Sequence, residues 1–380
     1  MRHDPSTSGS GHRPDAALAT PGEEFRDDLR PAAVPVAVAA SEARDAAPVR
    51  RVLSADDLRP LTELNDWRSL GAIALTAAII GGALCVGLVT WPSGWLVLAV
   101  LVIAVQQHAM FILAHDAAHY RLFRSRKLND SVGRAIGMAS GISMCTYRVI
   151  HRLHHNNLYT EEDPDTAIHG GYPRGVAYLW KKLAQDLCGL NTWKTFAYFF
   201  GAPAINRDTN RALRPLDDTS AALRDSARRD RWLVVAFQVT APLLALAVGG
   251  WTGLAQYAVL WLLPLATMLQ VILRLRAIAE HGAVTDLSSP LTAARCNRTT
   301  GTLANWLGRA FLFPHHVNYH LEHHLYPAVP HYHLPALHRL LQERGVLANA
   351  EVRDVASTMR AIFAPRRASA PARALAPTQP

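Results

Sequence analysis

The segment Ser69–His119 reads SLGAIALTAAIIGGALCVGLVTWPSGWLVLAVLVIAVQQHAMFILAHDAAH. No Asp, Glu, Lys or Arg occurs between Arg68 and Asp116. At about 20 apolar residues per crossing, that gap holds two membrane-spanning helices. A second gap of the same kind lies between Arg231 and Arg274. Each is interrupted near its centre, by Trp91-Pro92-Ser93-Gly94-Trp95 and by Gly249-Gly250-Trp251-Thr252-Gly253. Gly and Pro mark turns, and Trp prefers the headgroup level. Two helical hairpins are therefore expected, Leu70–Thr90 with Trp95–Leu113 and Trp232–Val248 with Leu254–Leu273. A buried helix of a soluble protein rarely runs so far without a charge.

Basic residues flank the hairpins and avoid their tips. Arg50, Arg51, Arg59 and Arg68 precede the first, and Arg121, Arg124, Arg126 and Lys127 follow it. Arg228, Arg229 and Arg231 precede the second, and Arg274 and Arg276 follow it. The positive-inside rule then places these flanks and both termini on the cytoplasmic side, of the inner membrane if the cell is bacterial. The net charge of +9 is in large part topological arginine, with an attraction to anionic lipid. No nucleic-acid motif accompanies it, so no nucleic-acid partner is expected. Cys85, Cys145, Cys188 and Cys296 show no metal-type spacing and read as reduced structural thiols.

Outside the hairpins the chain divides simply. Residues 1–60 are expected to form a disordered arm, rich in Ala, Pro, Ser, Asp and Arg, in which His3 and His12 are solvated. Residues 61–364 form the membrane domain, and residues 365–380 a similar disordered tail. Leu128–Ile150, Ala177–Leu190 and His333–Arg344 have helical patterns, the last with Pro335 near its start and Gly345 as a C-cap. Trp193–Ile205 is too short for a confident span and suits either the interface or a packed helix.

Eight histidines stand in three clusters, all on the side expected to be cytoplasmic: His115/His119, His151/His154/His155 and His320/His323/His324. Histidine is the commonest metal ligand and binds as neutral imidazole. Residues three and four apart share a helix face, so each cluster can present its rings together. A lone histidine on an apolar face is usually structural, and a single HxxxH is weak. HxxHH twice with HxxxH, all at one membrane face, is not readily a chance result. His281 emerges on the same side and would be a ninth imidazole. Asp116, Asp163, Asp165, Glu280, Asn318 and Glu322 are candidates to orient these ligands from behind, as liganding histidines require. Among other histidines, His316 is four before His320 and could share its face, His315 stands beside it, and His331, His333 and His338 read as structural. So many imidazoles exceed one zinc and suit two metals with open positions. Iron fits best, because a redox metal at a lipid face can activate oxygen against an apolar chain.

The strings HDAAHYRLF (His115–Phe123), HRLHHNNLYTEEDPD (His151–Asp165) and NYHLEHHLYP (Asn318–Pro327), with the hairpins, resemble the membrane fatty acid desaturase and hydroxylase superfamily. The likeness covers about Leu61–Arg344. It implies two irons held by the eight clustered histidines, with His281 matching the additional histidine before the third box. It also implies O2 as oxidant, a lipid or fatty acyl substrate, and electrons from a separate ferredoxin-like or haem carrier. The expected fold is an all-α integral membrane protein, with four transmembrane helices as two hairpins under a cytoplasmic helical cap that holds the di-iron site. The expected reaction is desaturation, with hydroxylation as the alternative on the same scaffold. A non-catalytic metal-binding protein or transporter ranks below both. An ion path needs polar groups inside the spans, and only Gln106, Gln107, His108, Gln238 and Gln270 offer them.

Overall fold

The computed structural model describes residues 52–365, apart from residues 161, 207–210, 218 and 288. The expected tail, His3, His12, Glu161 and all but the last residues of the expected arm fall outside the described residues. Those last arm residues are helical. Ser54 accepts from Asp57 N and the Asp57 carboxylate accepts from Ser54 N, a reciprocal cap that starts α1 (Ala55–Thr62).

Asn65 caps α2 (Asp66–Val89), and α3 (Trp95–Ala118) returns alongside it after the Trp-Pro turn. The two pack through Ala83, Ala99 and Ile103 against Leu260. Gly87 faces Leu260 there, and a Cβ on it would lie 2.5 Å from a Leu260 methyl carbon. Both helices are long and apolar enough to cross a membrane, as is a third segment, Ala221–His281. That segment comprises α8 (Ala221–Tyr257), a π-helical turn at Ala258–Leu262, a short turn at Leu263–Ala266 and α9 (Met268–His281). As one straight rod its 61 residues would span about 90 Å, three times the hydrocarbon core. It is not one rod. Gly250 sits at φ 59°, ψ −153°, which breaks the helix inside the expected Gly-rich turn. A Cβ on Gly253 would lie 2.3 Å from the Ala245 carbonyl oxygen, so the backbone doubles back at that point.

The rest of the chain packs around the ends of these helices. The expected helix Leu128–Ile150 is two, α4 (Arg126–Ser140) and α5 (Met144–Asn156). Gly141 divides them at φ 77° as a left-handed cap, and a Cβ there would lie 2.3 Å from the Phe196 ring. Then come α6 (Val176–Leu187) and α7 (Thr192–Phe199), the latter too short to cross a membrane. Beyond α9 lie α10 (Leu303–Phe311), α11 (His320–Leu325), α12 (Leu334–Glu343), followed by Gly345 at φ 70°, and α13 (Val355–Ile362). Two small ladders complete the fold, β1 (Ala204–Asn206) antiparallel to β2 (Arg211–Leu213) and β3 (Cys296–Arg298) parallel to β4 (Val352–Asp354). The four cysteines are free thiols.

Buried charges fix the angles between elements. Arg148 on α5 donates to the Ala117 and Ala118 carbonyls at the end of α3 and to Asp130 on α4. It satisfies carbonyls that a helix terminus leaves orphaned, and its charge suits the negative end of the dipole. Asp230 on α8 accepts from Arg134 on α4 and from Cys145 N at the start of α5. Arg274 on α9 pairs with Asp186 on α6.

Replacing Gly141 by Val should destabilise the protein by about 1–3 kcal/mol, from left-handed strain and the collision with Phe196. Gly71, with nothing within 4 Å of its hypothetical Cβ, should accept Ala without loss. Thermal unfolding midpoints of both variants in one detergent check this contrast.

Candidate metal centre

The nine expected histidines converge from four helices, each near a helix end. His115 lies in the last turn of α3 and His119 caps it. His151, His154 and His155 lie in the last two turns of α5, His281 ends α9, and α11 carries His320, His323 and His324. They do not form one group. The donor nitrogens of His115, His119, His151, His155 and His323 lie within 4.8 Å of one another, and so do those of His154, His281, His320 and His324.

The division follows from helical geometry. Members four apart stay about 40° apart around the axis, whereas a member three apart turns about 60° the other way. His115/His119 and His151/His155 accordingly enter the five-histidine cluster as pairs, and His320/His324 enter the other as a pair. The i+3 members, His154 and His323, cross to the opposite cluster. Each HxxHH string thus serves both clusters, which corrects the expectation that it presents three rings from a single face.

Facing nitrogens lie at ligand spacing. In the five-histidine cluster, His151 Nε2 and His155 Nε2 are 3.0 Å apart, and His155 Nε2 and His323 Nε2 2.9 Å. In the four-histidine cluster, His281 Nε2 lies 3.2 Å from His154 Nε2 and 2.8 Å from His320 Nε2, which is 3.1 Å from His324 Nε2. Nitrogens bound at about 2.1 Å to one ion would lie about 3.0 Å apart at right angles and about 3.4 Å apart in a tetrahedron. His115 Nε2 and His119 Nε2 are buried with no hydrogen-bond partner. Leaving such atoms unmatched costs about 1–3 kcal/mol each, which coordination would remove. Burial, reinforced by neighbouring imidazoles, holds the pKa of His151, His155, His320, His323 and His324 well below the ordinary value, in the neutral form that metals bind. The donor set fits metal ions.

Carboxylates stand behind the rings. Asp163 Oδ1 accepts from His154 Nδ1 at 2.9 Å, which leaves Nε2 to face the cluster. Asp163 is itself held by Tyr159 N and Asp165 N. Burial opposes charge on His154, yet Asp163 and Asp165 outweigh it and lift its pKa to about 9. Burial likewise works against the Asp163 anion, but His154 and His169 hold it well below the usual carboxylate range. A cation in this cluster would have to displace the Nε2 proton of His154. Asp165 lies 3.7 Å from the same Nδ1 and accepts from the Tyr198 hydroxyl. Asp116 lies 3.6 Å from His115 Nδ1 and accepts from His331 Nδ1 at 2.7 Å, so His331 braces the carboxylate behind a clustered histidine.

Other expected positions differ. Asn318 donates to the Asn297 carbonyl in the loop before α11, and Glu322 pairs with His338 on α12. Both hold α11 in place. His315 and His316 have positive φ ahead of α11, so His316 shares no helical face with His320, and His315 instead meets Thr76 on α2. Burial pushes the pKa of each down to about 4.

His169 is the residue that sequence reading missed. It is buried at the end of a four-residue turn (Thr166–His169). Its Nε2 lies 3.4 Å from Asp163 Oδ2 and its ring 4.8 Å from that of His281. It lacks the helical histidine spacing that marks the eight clustered ones. The acidic string that ends at Asp165, four residues earlier, is its one sequence signal.

The family profile for fatty acid desaturases matches residues 90–355. The chain belongs to the fatty acid desaturase family. It is 29% identical over 292 residues to the dihydrorhizobitoxine desaturase of Bradyrhizobium elkanii, covering 72% of this chain and 75% of that one. It is 23% identical over 286 residues to a chloroplastic omega-3 fatty acid desaturase of Ricinus communis, covering 71% and 58%. A 98-residue match, 30% identical, links it to a chloroplastic sn-2 acyl-lipid omega-3 desaturase (ferredoxin) of Arabidopsis thaliana, covering 24% and 21%. The chain thus spans less than two thirds of the length of these plant desaturases. A desaturase-type oxidoreductase with apolar, membrane-length helices and histidine clusters suited to metal is the common ground.

Asp163→Asn should weaken metal binding about 10- to 100-fold, because the ring loses its anionic acceptor and its fixed tautomer. His169→Phe should do so less, since its Nε2 acts on His154 through Asp163. Competition with a chromophoric chelator measures both against wild type.

Proposed function

We propose that this chain is an O2-dependent membrane desaturase that introduces a double bond into a lipid or fatty acyl chain. The observation that carries the reading is the division of nine histidines into two adjoining clusters at the ends of membrane-length helices. His115, His119, His151, His155 and His323 would hold one iron, and His154, His281, His320 and His324 the other. Bound iron would supply the redox chemistry needed to oxidise an unactivated C–H bond with O2. The balance requires a donor: four electrons reduce O2 to two waters, two from the substrate carbons as two hydrogens leave and two from a separate carrier. The word ferredoxin in the Arabidopsis relative's name supports a ferredoxin-like carrier.

The chain's own contribution is positional. Asp163 and the Ala293 carbonyl meet Nδ1 of His154 and His281, and so fix which nitrogen each of these rings turns inward. Ile112 and Leu113, just before His115 on α3, are buried and keep that stretch of the helix apolar. In the proposed topology the break at Gly250 makes Ala221–His281 a second hairpin, and basic flanks set both termini and the clusters on the cytoplasmic face.

Lipid mass spectrometry on membranes expressing the chain with an electron donor, beside a His154→Ala control, tests this reading. A control-sensitive product lacking a pair of hydrogens is expected. A product gaining one oxygen would make the enzyme a hydroxylase. The Bradyrhizobium relative is named for dihydrorhizobitoxine and not for a fatty acid, so the same assay should include small non-acyl metabolites. Product in those alone would sink the lipid assignment.

A further inference from the structure

Glu280 lies at the edge of the four-histidine cluster, beside His320. Its Oε2 is 3.6 Å from His320 Nε2, the nitrogen that faces His281 and His324. A carboxylate that merely orients a liganding ring must sit at the other nitrogen, as Asp163 does at Nδ1 of His154. Glu280 is therefore placed differently from the carboxylates behind the rings. Its other oxygen, Oε1, accepts from Arg276 Nε at 2.8 Å, one helical turn earlier on α9. The residue is 2% exposed, so its charge is not held there by water. A buried carboxylate persists when it is paired or coordinates metal.

The clusters are also unequal, with five imidazoles in one and four in the other. We infer that Glu280 is the fifth protein donor of the four-histidine cluster, binding through Oε2 while Arg276 holds Oε1. This rests on the two-metal reading above. Arg276 limits the carboxylate to one coordinating oxygen, since the guanidinium occupies the other and cannot itself bind metal. The two ions would then differ in kind, one among neutral imidazoles and one with an anionic oxygen donor. The carboxylate makes the second site the better host for a more highly charged ion.

Co(II) titration of purified, metal-free, full-length protein in detergent tests the assignment, read by metal analysis and by visible absorption. Wild type should bind two Co(II) per chain. Glu280→Gln should keep one at wild-type affinity and bind the other at least tenfold more weakly, with a changed spectrum, and Glu280→Asp should recover part of the loss. Two ions bound by Glu280→Gln with wild-type affinity and spectrum would overturn the assignment while sparing the two-metal reading. Fewer than two ions in wild type would overturn that reading, and this assignment with it. Should Glu280→Gln not fold, infrared difference spectra of wild type with and without Co(II) decide: a shifted carboxylate stretch is expected, and none would refute coordination.

Discussion

Nine imidazoles, buried or half-buried, with their nitrogens turned toward one another are the constraint on which the rest of this structure depends. Protonated, they would repel at contact distance. Neutral, they still bury polar nitrogens such as His115 Nε2 and His119 Nε2 without partners. The arrangement is tolerable when shared cations accept those lone pairs, and it demands that the rings be held still before the cations arrive. Much of the cap does that holding. His331 reaches from beyond α11 to Asp116 on α3, and His338 on α12 to Glu322 in the middle of the HLEHH helix. Arg295, fully buried, donates to the Ala279 and Ala283 carbonyls around His281 and pairs with Glu351 beside β4.

These braces are needed because the histidine-bearing elements are helix ends. Helix termini fray, and their last carbonyls lack partners. At the end of α3, Arg148 and Asn129 take up the Ala117 carbonyl, and Arg148 also lies over the Tyr120 ring. At the end of α5, the Asn157–Asp163 loop folds back through Tyr159 to the His281 carbonyl. The first brace ties α3 to α5 and the second ties α5 to α9, so the spacing of the clusters is built into elements far apart in sequence.

The membrane-length helices were legible because absence of charge over such lengths has few other physical causes, and Gly250 was marked by its neighbours. The histidines were legible as a group because their spacing is helical. Their division was not. It depends on the angle at which α5 and α11 approach each other, which single-helix spacing does not encode. Once both HxxHH strings are placed between two centres, the 100° between the third and fourth positions forces the i+3 ring one way and the i, i+4 pair the other. The break at Gly141 was misread because apolar periodicity continues across it, whereas the left-handed cap is required by the approach of Phe196. His169 and the Asn318–Asn297 contact were hidden for the same reason: their partners are set by tertiary approach.

Charge accounts for the carboxylates. A ligand set made of imidazole is neutral, so two bound cations would leave uncompensated positive charge in a buried site. Asp116, Asp163 and Asp165 answer that from behind the rings, within 3.7 Å of the Nδ1 atoms of His115 and His154. Placed there they would lower the cost of burying such ions while leaving the inner faces of the rings free. Glu280 breaks this pattern, and Arg276 beside it cancels a carboxylate that would otherwise strengthen the field. A carboxylate neutralised in this way contributes little as background charge. Its value to the site lies in the oxygen that Arg276 leaves free.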